Sequence, residues 1–522
     1  MSGPAAAPAP RRAPRLRRFP PSFRPLGLDG QRVLVVGLGT FGGGLGAVQH
    51  LLRERARVTV TDSRGPEALR ESLAALDGQP VELLLGRQPT ADEVAAADWI
   101  VASPAVPWSA PPLREAAARG IPVESEITLL VRLLRCRWLG ITGTNGKSTT
   151  TMLATRTLAA TGRRVWGGGN LGGSLLDRWQ EIDADDAVVL EISSFQLEHL
   201  GEIGLGPDVA LVTNVTHDHL DRHGTFAAYA AAKRQLLARA DVALLQRSDA
   251  TCVEFGRTFA GRVIWYGDET AFAAEEAGAR LVAGRFGTFE GERVDFAPLR
   301  LRGAHNRVNL LAAATAATCF AVPFSAAAAA GFAVTPLPRR LNDVAIVRNA
   351  TYIDDSVSTS PPAVAAALAA CDGPIHLIAG GYDKGIDPEL LLSAMVRKCS
   401  TVTLYGAVGP RLSALLLERL RGDPARFSAP SSAAPTVATS GPPLPGGALC
   451  AESVRVVTDL RAAFAVAAAR AGAGETVLYS PGYASYDQFR NFTERGDLFC
   501  ALVADHARRA GDDSLAAAPR ES

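Results

Sequence analysis

The chain has 522 residues, 47% hydrophobic and 20% charged, an ordinary globular composition that excludes a wholly disordered protein. Lys and Arg (54) nearly balance Asp and Glu (53), and the net charge of +1 gives no general pull on nucleic acid or anionic lipid. Seven Cys without a CxxC pair fit reduced thiols in the cytoplasm, and no apolar run reaches the ~20 residues of a membrane span.

At roughly 150 residues per domain, the length predicts three domains. The first 26 residues carry six Arg, many Pro and no acid. Pro interrupts any apolar signal core, and a transit peptide would be Ser-rich and helix-compatible, so residues 1–28 read as a disordered basic tail. Beyond it, apolar β-rich runs alternate with helical stretches, the pattern of α/β domains with parallel sheets. Strands are expected at Arg32–Gly37, Arg57–Thr61, Trp99–Ala102, Trp138–Thr142, Ala187–Glu191 and Val209–Asn214. Others follow at Val263–Tyr266, Tyr352–Asp354, Ile375–Ala379, Thr401–Tyr405 and Thr476–Tyr479. Pro424–Gly447, rich in Pro, Ser, Ala and Gly, reads as a solvated insertion over 423–449, and Ala510–Ser522 as a frayed end.

The first strand runs into Gly37-Leu38-Gly39-Thr40-Phe41-Gly42 before a helical segment, and the second ends at Asp62. Glycines let a backbone turn approach a diphosphate at a helix N-terminus, and the acid suits a ribose or base. Taken alone, this is a dinucleotide turn and suggests a dehydrogenase, or else a tight turn with no ligand. The second device is Gly143-Thr144-Asn145-Gly146-Lys147-Ser148-Thr149, again between strand and helix. Its amides can cradle β- and γ-phosphates, Lys147 adds charge, and the Ser148 hydroxyl reaches Mg²⁺, which points to ATP. The strict P-loop glycine, five residues before Gly146, is Ile141.

Spelled this way, the loop resembles that of the Mur ligases, ATP-dependent amide-forming enzymes of peptidoglycan precursor assembly. The resemblance extends from Arg32 to about His506 in the family's motif order, and within the family it is similar to the D-glutamate-adding branch. It implies three domains: a Rossmann-like N-terminal domain (29–135) holding a UDP-sugar rather than NAD, a central P-loop ATPase-type parallel-sheet domain (136–336) and a C-terminal Rossmann-like domain (337–522). By that resemblance Thr40 and Phe41, in the turn of Gly37, Gly39 and Gly42, meet the diphosphate, and Asp62 with Ser63 meets the uridine. The family's Ser-Pro-Gly turn stands as Ser103-Pro104-Ala105, and Asn170 matches its UDP-muramoyl contact.

Glu191 and His219 close two strand-end segments that should face the phosphates. A carboxylate suits Mg²⁺, whereas His217, His219 and His223 read alone suggest zinc. The resemblance makes Glu191 and His219 Mg²⁺ ligands, with Ser148. Lys233, on an alanine-rich helix, would ordinarily be a solvated side chain. It coincides with the family's lysine that CO₂ carbamylates, a modification that needs a neutral amine and helps organise a second Mg²⁺. Asn306 and Asn309 are expected near the adenine.

Pro338-Arg339-Arg340 stands for the family's Pro-His-Arg, and Arg340 carries over as a nucleotide-phosphate contact. Asp355-Ser356-Val357-Ser358-Thr359 stands for Asp-Ser-Lys-Ala-Thr. Asp355 matches on the nucleotide side and Thr359 on the glutamate side, but the lysine is Val357. Lys384 is then the remaining cation for glutamate, with Ser485 and the Phe492 backbone on its side-chain carboxylate. The implied partners are UDP-N-acetylmuramoyl-L-alanine, glutamate, ATP and two Mg²⁺, with no nucleic acid and no membrane insertion, in a cytoplasmic monomer. The rivals are the same chemistry on L-glutamate or another amino acid, a folylpolyglutamate synthase-like ligase without the first domain, a dehydrogenase, and a nucleotide-binding relic.

Overall fold

The computed structural model describes residues 26–39, 43–171, 174–274, 276–383, 385–421 and 449–511. Thr40, Phe41, Gly42 and Lys384 lie outside the described residues, as do 1–25 of the basic tail, 422–448 of the insertion and the C-terminal 512–522.

Three sheets follow one another along the chain. The first holds β1 (Arg32–Val36), β2 (Arg57–Asp62), β3 (Val81–Leu85), β4 (Trp99–Ala102) and β5 (Val123–Glu124) in the order β3-β2-β1-β4-β5, all parallel. The strand order reverses direction between β1 and β4, which leaves a crevice outside their carboxyl ends. Gly37 and Ser103 sit at that edge.

The second sheet holds β6 (Arg137–Thr142), β7 (Val165–Gly169), β8 (Ala187–Glu191), β9 (Val209–Val212), β10 (Val242–Gln246), β11 (Arg262–Asp268), β12 (Ala279–Val282), β13 (Phe286–Phe289) and β14 (Glu292–Asp295). Its order is β14-β13-β12-β11-β10-β9-β6-β8-β7, parallel up to the antiparallel β12-β13-β14 edge. Every residue of β8 and β9 is buried. Strands covered on both faces bury both sets of side chains, which is why they read as continuous apolar runs. Because β6 lies between β8 and β9, the chain segments leaving all three emerge together.

The third sheet holds β15 (Asn342–Val347), β16 (Ala350–Asp354), β17 (Ile375–Gly380), β18 (Cys399–Tyr405), β19 (Val454–Val456) and β20 (Thr476–Gly482), ordered β15-β16-β20-β17-β18-β19 with only β15 antiparallel. The architecture is the three-part α/β arrangement expected. All eleven expected strands are present, while β3, β5, β7, β10, the β12–β14 edge, β15 and β19 were not singled out in the sequence. β7 is Val-Trp-Gly-Gly-Gly, and glycines hide a strand from any side-chain pattern.

Apolar packing is continuous between the first two sheets, since Val33, Val35 and Leu51 share one cluster with Val188, Leu190 and Leu200. The third sheet carries separate clusters on its two faces. Among the described residues no helix is long and apolar enough to cross a membrane.

Candidate active site

After β6 the chain turns through Gly143-Thr144-Asn145-Gly146 into the helix Lys147–Leu158. Gly143 has φ 147°, and a Cβ there would lie 1.8 Å from Thr213 Oγ1. Gly146 is the N-cap, at φ 82°. Space excludes a side chain at the first and backbone conformation disfavours one at the second. The helix opens without a side-chain cap, so its first N–H groups remain available to an anion. The loop is laced to the segment leaving β9. Thr144 N–H donates to the Asn214 carbonyl (2.8 Å), and Asn145 N–H donates to Asn214 Oδ1 (3.0 Å). Asn214 Nδ2 and Thr213 Oγ1 both donate to the Asn145 carbonyl, at 3.0 and 2.7 Å.

Two lysines converge on this loop. Lys147 Nζ donates to the Gly143 and Thr144 carbonyls at 3.0 and 2.8 Å. Lys233 Nζ donates to the same Gly143 carbonyl at 2.6 Å and lies 4.5 Å from the centre of the Tyr229 ring, whose hydroxyl meets Thr144 Oγ1 at 3.1 Å. Lys233 comes from the helix Phe226–Arg234 and is 1% exposed. Burial first, and the neighbouring Lys147 charge second, hold the Lys233 amine well below the usual lysine range. Burial also lowers Lys147, against the pull of Glu191 and Asp218.

Glu191 ends β8, buried, with Oε1 accepting from Asn170 Nδ2 at 2.9 Å and Oε2 buried without a hydrogen-bond partner among the described residues. An orphaned carboxylate oxygen is costly unless a cation or water meets it. Oxygen donors from Glu191 and Ser148 beside a phosphate loop fit Mg²⁺. His219, left-handed at φ 50°, caps the single helical turn Leu220–His223, with its ring edge-on to Phe195 at 5.2 Å. His217 stacks on Phe226 at 4.5 Å, while His219 and His223 both pack on Phe195 and Tyr229, and His223 Nε2 meets Ser194 Oγ at 3.0 Å. Among the described residues no three His, Cys, Asp or Glu side chains gather as a metal cluster, which speaks against the zinc reading.

Asn306, buried, opens the helix Ala304–Thr318 and accepts from Asn309 Nδ2 at 3.0 Å. Asn309 abuts the phosphate loop, since a Cβ on Gly146 would lie 3.0 Å from its Oδ1. Thr149, Met152, Leu301, Asn306, Leu337 and Arg340 line a small pocket where the second and third sheet regions meet. Arg340 Nε is buried there with no hydrogen-bond partner among the described residues, and its charge reaches Lys147.

In the first domain, Asp62 Oδ2 accepts from Leu38 and Gly39 N–H at 3.1 and 3.2 Å, and Oδ1 accepts from Arg64 N–H at 2.9 Å. The carboxylate therefore stiffens the Gly37–Gly39 turn, while Ser63 stands exposed beside it. Ser103 packs on Gly37, where a Cβ would come within 2.9 Å of the Ser103 Cβ.

In the third domain, Asp355 is buried, accepting from Leu341 N–H (3.2 Å), Ser358 Oγ (2.6 Å) and Ser480 Oγ (2.6 Å). Burial raises its carboxyl to about 6. It thus braces the linker that bears Arg340. Thr359 follows at the end of the same loop, half-buried, and Ser485 is buried after β20. Phe492, 38% exposed, is the first residue of the helix Phe492–Ala510, whose cap Asn491 accepts from Glu494 N–H at 2.9 Å. Two of the departures from the family strings, Arg339 and Val357, touch, since Val357 N–H donates to the Arg339 carbonyl at 3.2 Å.

Sequence reasoning missed three participants. Asn214 and Tyr229 were readable only as neighbours of a motif, although Tyr229 precedes Lys233 by one helical turn. Arg495 is fully buried and donates to the Tyr483 and Ser356 carbonyls at 2.8 and 3.0 Å, tying the β20 loop to the β16 loop. No local pattern signals it.

Residues 141–317 match the Mur ligase middle domain, and residues 31–125 match the Mur ligase MurD-like, N-terminal domain. The chain is 36% identical to the UDP-N-acetylmuramoylalanine--D-glutamate ligase of Roseiflexus sp. (strain RS-1), over 91% of this chain and 99% of that protein. It is 37% identical to the enzyme of the same name from Anaeromyxobacter dehalogenans (strain 2CP-C), over 92% and 99%. Among solved structures it is similar in fold to the UDP-N-acetylmuramate-alanine ligase MurC of Thermotoga maritima, with TM-score 0.54, 15% identity and coverage of 91% and 99%. The MurF ligase of Thermotoga maritima in complex with ADP gives TM-score 0.52, 16% identity and coverage of 92% and 96%. With near-complete coverage by relatives above 30% identity, the chain belongs to the Mur ligase family.

Proposed function

We infer that this chain is an ATP-dependent ligase that joins D-glutamate to UDP-N-acetylmuramoyl-L-alanine through an acyl phosphate, in peptidoglycan precursor synthesis. The substrate's terminal carboxylate attacks the γ-phosphorus of ATP, the γ-phosphoryl bond to ADP breaks, and an acyl phosphate forms. The glutamate amine then attacks the acyl carbon, loses a proton and expels inorganic phosphate. Charge spreads over the phosphoryl oxygens as it transfers, so catalysis is chiefly positioning and electrostatics. Lys147 and the loop amides face that charge, and Arg340 brings a third-domain cation to it. Glu191, Ser148 and His219, with Lys233 as a carbamate, would hold two Mg²⁺. Bound there, the metal supplies Lewis-acid polarisation of the phosphates.

One observation carries the reading: Lys147 and Lys233 share the Gly143 carbonyl, beside a Glu191 oxygen with no hydrogen-bond partner among the described residues. A relic would have no reason to keep two lysines, one of them buried, and an open carboxylate around one loop. The match over 31–125 argues against a folylpolyglutamate synthase-like ligase, which lacks that domain, and against a dehydrogenase reading of the Gly37 turn. We assign the UDP-sugar to 29–135, ATP to 136–336 and glutamate to 337–522 of a cytoplasmic monomer. Thr359, Lys384, Ser485 and Phe492 would grip the amino acid, and Gly37–Gly42, Asp62, Ser63, Ser103 and Asn170 the UDP-sugar.

Val357 makes the glutamate enantiomer the point to test. Phosphate release with UDP-N-acetylmuramoyl-L-alanine is measured with each enantiomer, and the product is resolved chirally. Turnover with D-glutamate alone is expected. Preference for L-glutamate or another amino acid overturns the acceptor and leaves the chemistry standing.

A further inference from the structure

The Ser103-Pro104-Ala105 turn does not end at the first domain. Arg222, from the helical turn that His219 caps, reaches across with 14% of its side chain exposed. Its Nη1 donates to the Ala105 carbonyl at 2.9 Å and its Nη2 to the Pro104 carbonyl at 3.4 Å. The same Nη2 pairs with Glu198 Oε2 at 3.0 Å. The guanidinium lies over the Phe195 ring at 4.9 Å, and that ring stands edge-on to His219. Arg222 N–H also donates to the His219 carbonyl at 3.1 Å. On the far side of the turn, a Cβ on Gly37 would lie 2.9 Å from the Ser103 Cβ and 3.4 Å from Val106 Cγ2. Trp108 docks edge-on to His199 at 5.3 Å.

An unbroken line of contacts therefore runs from Gly37 through Ser103–Ala105 and Arg222 to His219. The planar guanidinium matters because it meets two carbonyls, a carboxylate and a ring face at once, which a lysine cannot do. Its partners on the first-domain side are main-chain carbonyls, so any shift of the turn moves the guanidinium. The return path to His219 is one helical turn, closed by the Arg222 N–H on the His219 carbonyl.

We propose that Arg222 is a positioning residue that couples occupancy of the UDP-sugar turn to the placement of His219 at the phosphate site. This rests on the reading under Proposed function. Its consequence is linkage: the UDP-sugar substrate and the magnesium nucleotide tighten each other's binding through Arg222.

The test measures binding of UDP-N-acetylmuramoyl-L-alanine and of magnesium with a non-hydrolysable ATP analogue, singly and together, in the full chain and its Arg222→Lys and Arg222→Ala variants. In the wild type, each ligand is expected to raise the other's affinity roughly tenfold. Arg222→Ala should bring that factor near one and Arg222→Lys should leave it intermediate, with the analogue's affinity alone unchanged. KM for the UDP-sugar should rise roughly tenfold in Arg222→Ala while KM for glutamate stays put. A thermal midpoint checks folding, and if the Ala variant does not fold the Lys variant decides. Undiminished coupling in a folded variant, or none in the wild type, overturns the proposal. A wild type that makes no ADP with both acceptors sinks the ligase reading instead.

Discussion

Lys233→Ala is expected to abolish nearly all turnover, and a short carboxylic acid is expected to restore part of it. Burial holds the Lys233 amine toward its neutral form, and the Lys147 ammonium, which shares the Gly143 carbonyl, adds repulsion in the same direction. A neutral amine adds to CO₂, forming a C–N bond and releasing a proton. The proposed product would be an anion beside Lys147, turning repulsion into attraction. Lys233→Ala would remove that anion, and a small carboxylate could take up the space next to Tyr229. The sign of the pH effect follows from the lowered amine. As pH falls through that value the ammonium form returns and carbamate is lost, so wild-type activity falls on the acid side. ADP release with and without formate or acetate is the readout, and full activity without either refutes the assignment.

Lys147→Ala is expected to lower kcat by roughly 10²–10³-fold or more, the scale for deleting one donor from a transition-state charge clamp. Lys147 would act twice: it latches its own loop through the Gly143 and Thr144 carbonyls, and in the proposed reaction it would face the phosphates. Lys147→Arg should fail to rescue, because a planar guanidinium cannot occupy the point where a compact ammonium meets both carbonyls. Single-turnover phosphate release separates this loss from altered binding. A variant with near-normal single-turnover rates contradicts the role given to the lysine.

Much of the site was legible because its parts are local strings. The phosphate loop, the strand-end Glu191 and the segment from Thr213 to His219 each lie at the end of an apolar run, and parallel sheets gather such ends on one edge. Lys233 was legible only by resemblance, since a lysine among alanines on a helix looks solvated. What buries it is the phosphate loop, 90 residues earlier in the chain. Arg495 and Arg222 were illegible for the same reason: each bonds to main-chain carbonyls, and a carbonyl leaves no trace in residue identity. The β12–β14 edge escaped because Gly284, Gly287 and Gly291 weaken any strand pattern there. Asp62 and Asp355 show the converse. The sequence marked them as ligand contacts, and the structure adds that both brace the loops they belong to.

The central claim is that a substrate carboxylate takes the γ-phosphoryl group before the amide forms, and oxygen tracing tests it most directly. UDP-N-acetylmuramoyl-L-alanine carrying ¹⁸O in its alanine carboxylate is turned over with magnesium ATP and D-glutamate, and the released phosphate is analysed by mass. One substrate-derived ¹⁸O is expected in each phosphate. Unlabelled phosphate, with its new oxygen drawn from water, would contradict it.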